Sequence, residues 1–308
     1  MHPQAHGKRI ELTPRDLAIF RLLDRYRYLP SNFIRAFVGG NAGYHKARMT
    51  DLFHEGWLAK PIPQWEAMNA RYRFDSYELG RKATAALVDR GPLEIHRLGT
   101  GGAFRHELMV CLVMASIELS AREHGIALLS WKDVLANAPE STRDAEAPFS
   151  IPMCFTHRGQ NFGRPLRPDG HPFGLRAART FWFAGFEADR HTEPLHPTDL
   201  SARNSSILGK ILQYRHMVRD RLFESHFGMR NVFVPIITVN DEHMHNMIEL
   251  ALRLTDGHGF KWMLFKSVPD FASLEKTIQP STDFLAEDWL RAGNPPLNLL
   301  EELARVEN

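Results

Sequence analysis

Residues 180–190 read Thr-Phe-Trp-Phe-Ala-Gly-Phe-Glu-Ala-Asp-Arg, an apolar run that ends in acids. A short continuous apolar run of this kind is a buried strand of a sheet. Just upstream, Arg167-Pro168-Asp169-Gly170 leads through His171 and Pro172 to Phe173-Gly174-Leu175, a turn followed by a second strand. Asp and Glu are almost never buried unpaired, so Asp169 beside the turn and Glu187 and Asp189 at the strand end need an explanation. Metal binding supplies one: Mg²⁺ takes oxygen ligands, activates water and stabilises charge at a phosphate, and Glu107 on an earlier helix offers a fourth oxygen. The alternative is plain ion pairing. Glu187 and Asp189 share a strand face and could pair with Arg167, Arg190 or Arg203.

Working outward, the helical spacing of Leu108, Leu112, Ile117 and Leu119 predicts a helix over 106–123, and residues 126–131 predict a strand after the Gly125 stop. Residues 136–163 read as a loop. Downstream, residues 205–227 predict one long helix bearing Lys210, Tyr214, Arg215 and Arg219. A strand over 231–239, a helix over 241–256 capped by Asn240 and a strand over 261–266 continue the alternation of an α/β sheet. The tail from Pro280 to Asn308 reads as peripheral, with a short amphipathic helix over 297–306.

At the N-terminal end the pattern changes. Thr13 and Pro14 open a helix that runs to Tyr26, and Phe33, Ile34 and Phe37 form a second, ended by Gly39-Gly40. A third begins near Asn41 and ends at Gly56, with Tyr44, His45, Lys46 and Arg48 ahead of the apolar Met49, Leu52 and Phe53. Polar and basic residues at that end are what a major-groove recognition helix exposes, although Tyr44 and Phe74 also read as packing residues. Trp57 to Lys60 and Arg71 to Phe74 predict a hairpin, and a last helix reaches Arg90 before Gly91-Pro92. This order predicts a winged helix-turn-helix that binds double-stranded DNA, with Lys46, Arg48, Lys60, Arg71 and Arg73 on phosphates. The alternative is the same fold used for protein contacts, its basic residues simply solvated.

The bulk properties agree with two domains and a tail, placed at 10–92, 103–275 and 276–308. The chain has 308 residues, 44% of them hydrophobic, a net charge of +2 and 2 cysteines. Without a long apolar stretch or a leader-like N-terminus, it reads as a cytoplasmic protein without a membrane partner. Cys111 and Cys154 lack metal or disulfide spacing and read as buried thiols. No GxxxxGK[ST] sequence occurs, so no nucleotide cofactor is expected. Neither His243 with His245 nor His191 with His196 has a zinc-enzyme spacing, and all four read as surface or locally bonded residues.

The ordered set of helix, strand, Arg167-Pro168-Asp169-Gly170 turn, Phe186-Glu187-Ala188-Asp189-Arg190 strand end, Thr192-Glu193-Pro194, and a helix with Lys and Tyr resembles a PD-(D/E)XK restriction-endonuclease-like core. With the winged helix before it, the chain resembles the replication-relaxation family, which includes the mobilisation protein C type of plasmid relaxase, over most of residues 10–270. The resemblance implies an α/β core within an α+β chain overall, DNA processing for plasmid or mobile-element replication or transfer, and Mg²⁺ or Mn²⁺ held by Asp169 and Glu187. One departure stands out: Asp189 occupies the position of the motif's lysine. Lys210 could deliver the missing charge from the next helix, and a relaxase could instead use Tyr214 as nucleophile. Two rivals stay open. One is a non-catalytic regulator whose degenerate core mediates partner contacts or a homodimer, and the other is a toxin-like or defence nuclease.

Overall fold

A computed structural model describes residues 3–62, 75–93, 104–157, 159–190, 194–195, 206–272 and 277–305. The chain is a mixed α+β protein that divides into two compact units, Met1–Leu119 with Ser273–Ser281, and Ser120–Ala272 with Thr282–Asn308. The cut after Leu119 lies inside a helix and the cut after Ala272 lies close to the expected boundary at 275/276, while the expected boundary at 91–103 is mostly outside the described residues.

In the first unit, α1 (Pro14–Tyr26) starts at a capping box in which Thr13 and Asp16 satisfy each other's backbone N–H. Strand β1 (Leu29–Pro30), α2 (Ser31–Val38), α3 (Ala42–His54), β2 (Leu58–Ala59), β3 (Ser76–Leu79) and α4 (Arg81–Val88) follow. The strands form an antiparallel sheet in the order β1-β3-β2, with Leu29 opposite Tyr77 and Leu58 opposite Leu79. Tyr77 to Leu79 are therefore strand residues. Tyr77 is buried against Phe53, and α4 begins only after Gly80. The expected wing strand at Arg71–Phe74 lies outside the described residues.

Helix α5 (Phe104–Glu123) leads to β4 (Ala127–Leu129). Residues 130 and 131 do not extend that strand, because Ser130 forms a capping box with Asp133 and starts α6 (Trp131–Asn137). The expected loop over 136–163 instead holds the end of α6, α7 (Glu140–Arg143) and a hairpin of β5 (Phe155–His157) and β6 (Gln160–Phe162), whose Phe155 and Phe162 rings stack at 4.8 Å. Alternation over so few residues is too weak a sequence signal to separate from coil. Within that hairpin segment Cys154 is exposed, not buried, whereas Cys111 is buried and its thiol is pushed up to about 12 by burial.

Strands β7 (Phe173–Arg176), β8 (Thr180–Phe183) and β9 (Glu187–Asp189) come next. The predicted long helix breaks at Arg221, which has φ of 53°, into α8 (Ile207–Arg219) and α9 (Leu222–Phe227). Then follow β10 (Val234–Thr238), α10 (Asp241–Arg253), β11 (Met263–Ser267), β12 (Trp289–Arg291), β13 (Asn294–Leu297) and α11 (Leu299–Ala304). Sheet order is β13-β12-β11-β10-β9, with β9, β10 and β11 parallel, while β4-β7-β8 form a separate antiparallel sheet. The tail is not peripheral. Its β12 pairs with β11, and Trp289, Leu299 and Leu303 are buried, because the edge of β11 would otherwise expose unpaired backbone.

Candidate functional site

Residues 180–189 run as one bent path through β8 and β9, and the bend is Gly185, with φ of +121°. A Cβ there would collide with Pro168 and the Gly170 carbonyl, and one on Gly170 would enter the Phe186 ring. The turn is thus pressed against the strand, and the Gly170 N–H donates to the Phe186 carbonyl at 3.0 Å. This crossing is what places Asp169, whose Oδ2 accepts the Ala188 N–H at 3.0 Å.

Helix α8 completes the group. Ser206 caps it, its Oγ accepting the Gly209 N–H at 3.1 Å, and the apolar Ile207, Ile211 and Met217 bury it in the core. Lys210 and Tyr214, four residues apart, share one helix face. Lys210 Nζ lies 2.7 Å from Glu187 Oε2 and 3.6 Å from Asp169 Oδ2, and the Tyr214 hydroxyl donates to Glu187 Oε1 at 2.5 Å. The Glu187 side chain is only 2% exposed. Burial pushes its carboxyl up to about 8, with Asp169 adding to the rise and Lys210 opposing it.

Asp189 is held elsewhere. Its Oδ2 lies 2.7 Å from His243 Nε2 and 3.5 Å from the Thr238 hydroxyl, so His243 is a buried partner rather than a surface residue. Glu107 pairs with Arg27 at 3.0 Å within the first unit. Asp169 and Glu187 share Lys210 as a neighbour, and among the described residues no group of three or more His, Cys, Asp or Glu side chains is placed to share one ion. Tyr214 is fully buried, and burial and then Glu187 hold its hydroxyl well above the usual tyrosine range. Sequence reasoning missed the Tyr214–Glu187 and Asp189–His243 contacts. The four-residue spacing of Lys210 and Tyr214 was the available signal for the first, and none existed for the second.

Several basic residues of the first unit are committed within the fold. Arg48 gives Nε and Nη2 to Asp16 at 3.0 and 2.6 Å and Nη2 also to the Glu11 carbonyl at 2.8 Å, a fork locked into the fold. Lys60 pairs with Asp75 at 2.9 Å, lies over the Phe53 and Tyr77 rings, and is 11% exposed. His45 is buried with Nε2 3.0 Å from the Ser31 carbonyl, and burial, with Arg15 and Arg35 nearby, keeps it below the usual histidine range. Tyr44, in contrast, is 59% exposed, and Lys46 is exposed beside it. Arg71 and Arg73 lie outside the described residues. No family model, curated protein or solved structure matches this chain.

Proposed function

We propose that the protein is a DNA-processing enzyme of the replication-relaxation kind, in which a winged helix-turn-helix grips double-stranded DNA and a restriction-endonuclease-like core cuts it. The observation that carries this reading is Lys210 Nζ set against both Asp169 and Glu187, because two carboxylates and a lysine converging beside a kinked strand are the parts of a metal-dependent phosphodiesterase. Lys210 supplies from α8 the charge that Asp189 cannot supply from β9.

The donor set fits a hard divalent cation. Mg²⁺ or Mn²⁺ commonly takes one or two protein carboxylates and completes its shell with water and phosphate oxygens. Asp169 and Glu187 would hold it, and when bound it supplies Lewis-acid stabilisation of the phosphate and a more acidic water. The chain's own residues do the positioning. The Ala188 N–H fixes Asp169, the Tyr214 hydroxyl fixes one Glu187 oxygen, and Lys210 sits where it can neutralise charge on the reacting phosphate.

For the first unit, support comes from the order helix, strand, two helices, two strands and from the β1-β3-β2 sheet, which backs α3 as a reading helix. Its exposed Tyr44 and Lys46 are the contacts we assign to DNA. Supercoiled plasmid incubated with Mg²⁺, Mn²⁺ or EDTA tests the whole reading. Wild type is expected to nick in either metal, Asp169→Ala and Glu187→Ala to bind without nicking, and Lys210→Ala to lose at least about a hundredfold in rate. Binding without cutting by wild type would leave a DNA-binding regulator built on a degenerate core.

A further inference from the structure

Next to Asp169 in the chain, His171 joins rings from two other segments. Trp131 opens α6, Phe149 ends the stretch after α7, and His171 lies two residues beyond Asp169. The His171 and Phe149 ring centroids are 4.5 Å apart, Trp131 and Phe149 5.7 Å, and Trp131 and His171 6.1 Å. All three are half-buried, neither sealed into the core nor fully exposed. Cations flank them. Lys132 Nζ lies 5.5 Å from the Trp131 ring centre, and the exposed Arg167 donates Nε to Ser150 Oγ at 3.2 Å, next to Phe149 in the chain.

We propose that this ring cluster is a stacking platform for one unpaired nucleobase of the strand being cut, so that the core acts on single-stranded or locally opened DNA. The inference rests on the nuclease reading and names its substrate. Arg167 and His171 each stand two residues from Asp169 on one turn, which keeps their Cα atoms within about 7 Å of its Cα, the scale of a single nucleotide. Aromatic faces stack any base, and neighbouring cations take its phosphates, the combination used wherever single strands are held. A base inside a duplex has both faces covered and cannot use such a platform, so it must be unpaired first. The occupant follows from this charge and ring chemistry and from the place of His171 two residues beyond Asp169.

Full-length protein is titrated, in EDTA, into an oligonucleotide carrying a single 2-aminopurine, presented as a single strand and as a duplex. We expect the probe to be quenched in the single strand, far less in the duplex, and the quench to be lost in Trp131→Leu and His171→Ala but kept in His171→Phe. Equal quenching by the variants and wild type, or an equal response of the duplex, overturns the platform. In Mg²⁺, an abasic site beside the cut should slow wild type by about tenfold or more, the value of one stacked base, and should not further slow His171→Ala. A further loss in His171→Ala as large as in wild type also overturns it. Because the first measurement contains no divalent ion, it reads stacking whether or not the protein cuts, and a retained quench without cleavage strikes the nuclease reading alone.

Discussion

Asp16 does two jobs with one carboxylate. It closes the capping box of α1 by accepting the Thr13 N–H and hydroxyl at 2.8 Å, and it receives the Arg48 fork from α3. Its side chain is 1% exposed. Burial alone would raise its pKa, but Arg48 and Thr13 outweigh burial and hold the carboxyl below its ordinary 3.8. A carboxylate with a depressed folded pKa adds stability above its unfolded value and loses it as pH falls through the folded one. Asp16→Asn should therefore unfold at lower urea than wild type by a constant margin at neutral pH, and the margin should shrink once pH drops below 3.8. A margin independent of pH down to acid unfolding would remove the charged pair as its source. Arg48→Met, which leaves Asp16 buried without its partner, should cost about 3 kcal/mol. The same side chain reads from sequence as a phosphate contact, because a basic residue early on an amphipathic helix looks identical whether it meets solvent or a buried acid. Only the meeting of Arg48 with Asp16 across α3 and α1 separates the two.

At the level of elements, the candidate site depends on one bend. Strand β8 passes into β9 through Gly185, and the Arg167–Gly170 turn fits only because neither Gly170 nor Gly185 carries a Cβ. Gly185→Ala should cost at least about 2 kcal/mol from the positive φ alone, and should also displace Asp169 from the Ala188 N–H. Gly163→Ala, where an added Cβ meets nothing within 4 Å, is the control and should stay within about 0.5 kcal/mol of wild type. Equal urea midpoints for the two variants would contradict this account. The acids at 169, 187 and 189 were legible as a group in need of partners because buried carboxylates are rare, and the pairing of 169 with 187 came from the resemblance alone. The partner was legible only as one of several cations, since nothing local distinguishes Lys210 on α8 from Arg167, Arg190 or Arg203. Asp189 read as a third member by strand periodicity, yet β10 and α10 bring it Thr238 and His243 instead.

For the whole molecule, the C-terminal segment makes the sharpest test. Lys266 on β11 is 6% exposed, pairs with Glu287 at 2.7 Å and lies against the Phe284 and Trp289 rings, so the tail covers a strand that carries a charge. Burial pulls the Lys266 ammonium below the usual lysine range, and Glu287 offsets part of that. Removal of residues 282–308 strips β12, β13 and α11 and exposes this charge and the β11 edge. The shortened chain is expected to lose cooperative urea unfolding and to aggregate during gel filtration; unchanged unfolding would return the segment to the peripheral role read from its sequence. The amino-acid sequence by itself determined the helix starts at Thr13, Asn41 and Asn240, the apolar strands and the presence of unexplained acids, because capping, periodicity and the cost of buried charge are local properties. The tertiary structure alone decided which cation lies against Asp169 and Glu187, that Arg48 and Lys60 are tied to acids within the fold, and that the tail is part of a sheet. Each of those depends on segments brought together from distant parts of the chain, and no local pattern encodes which partner arrives.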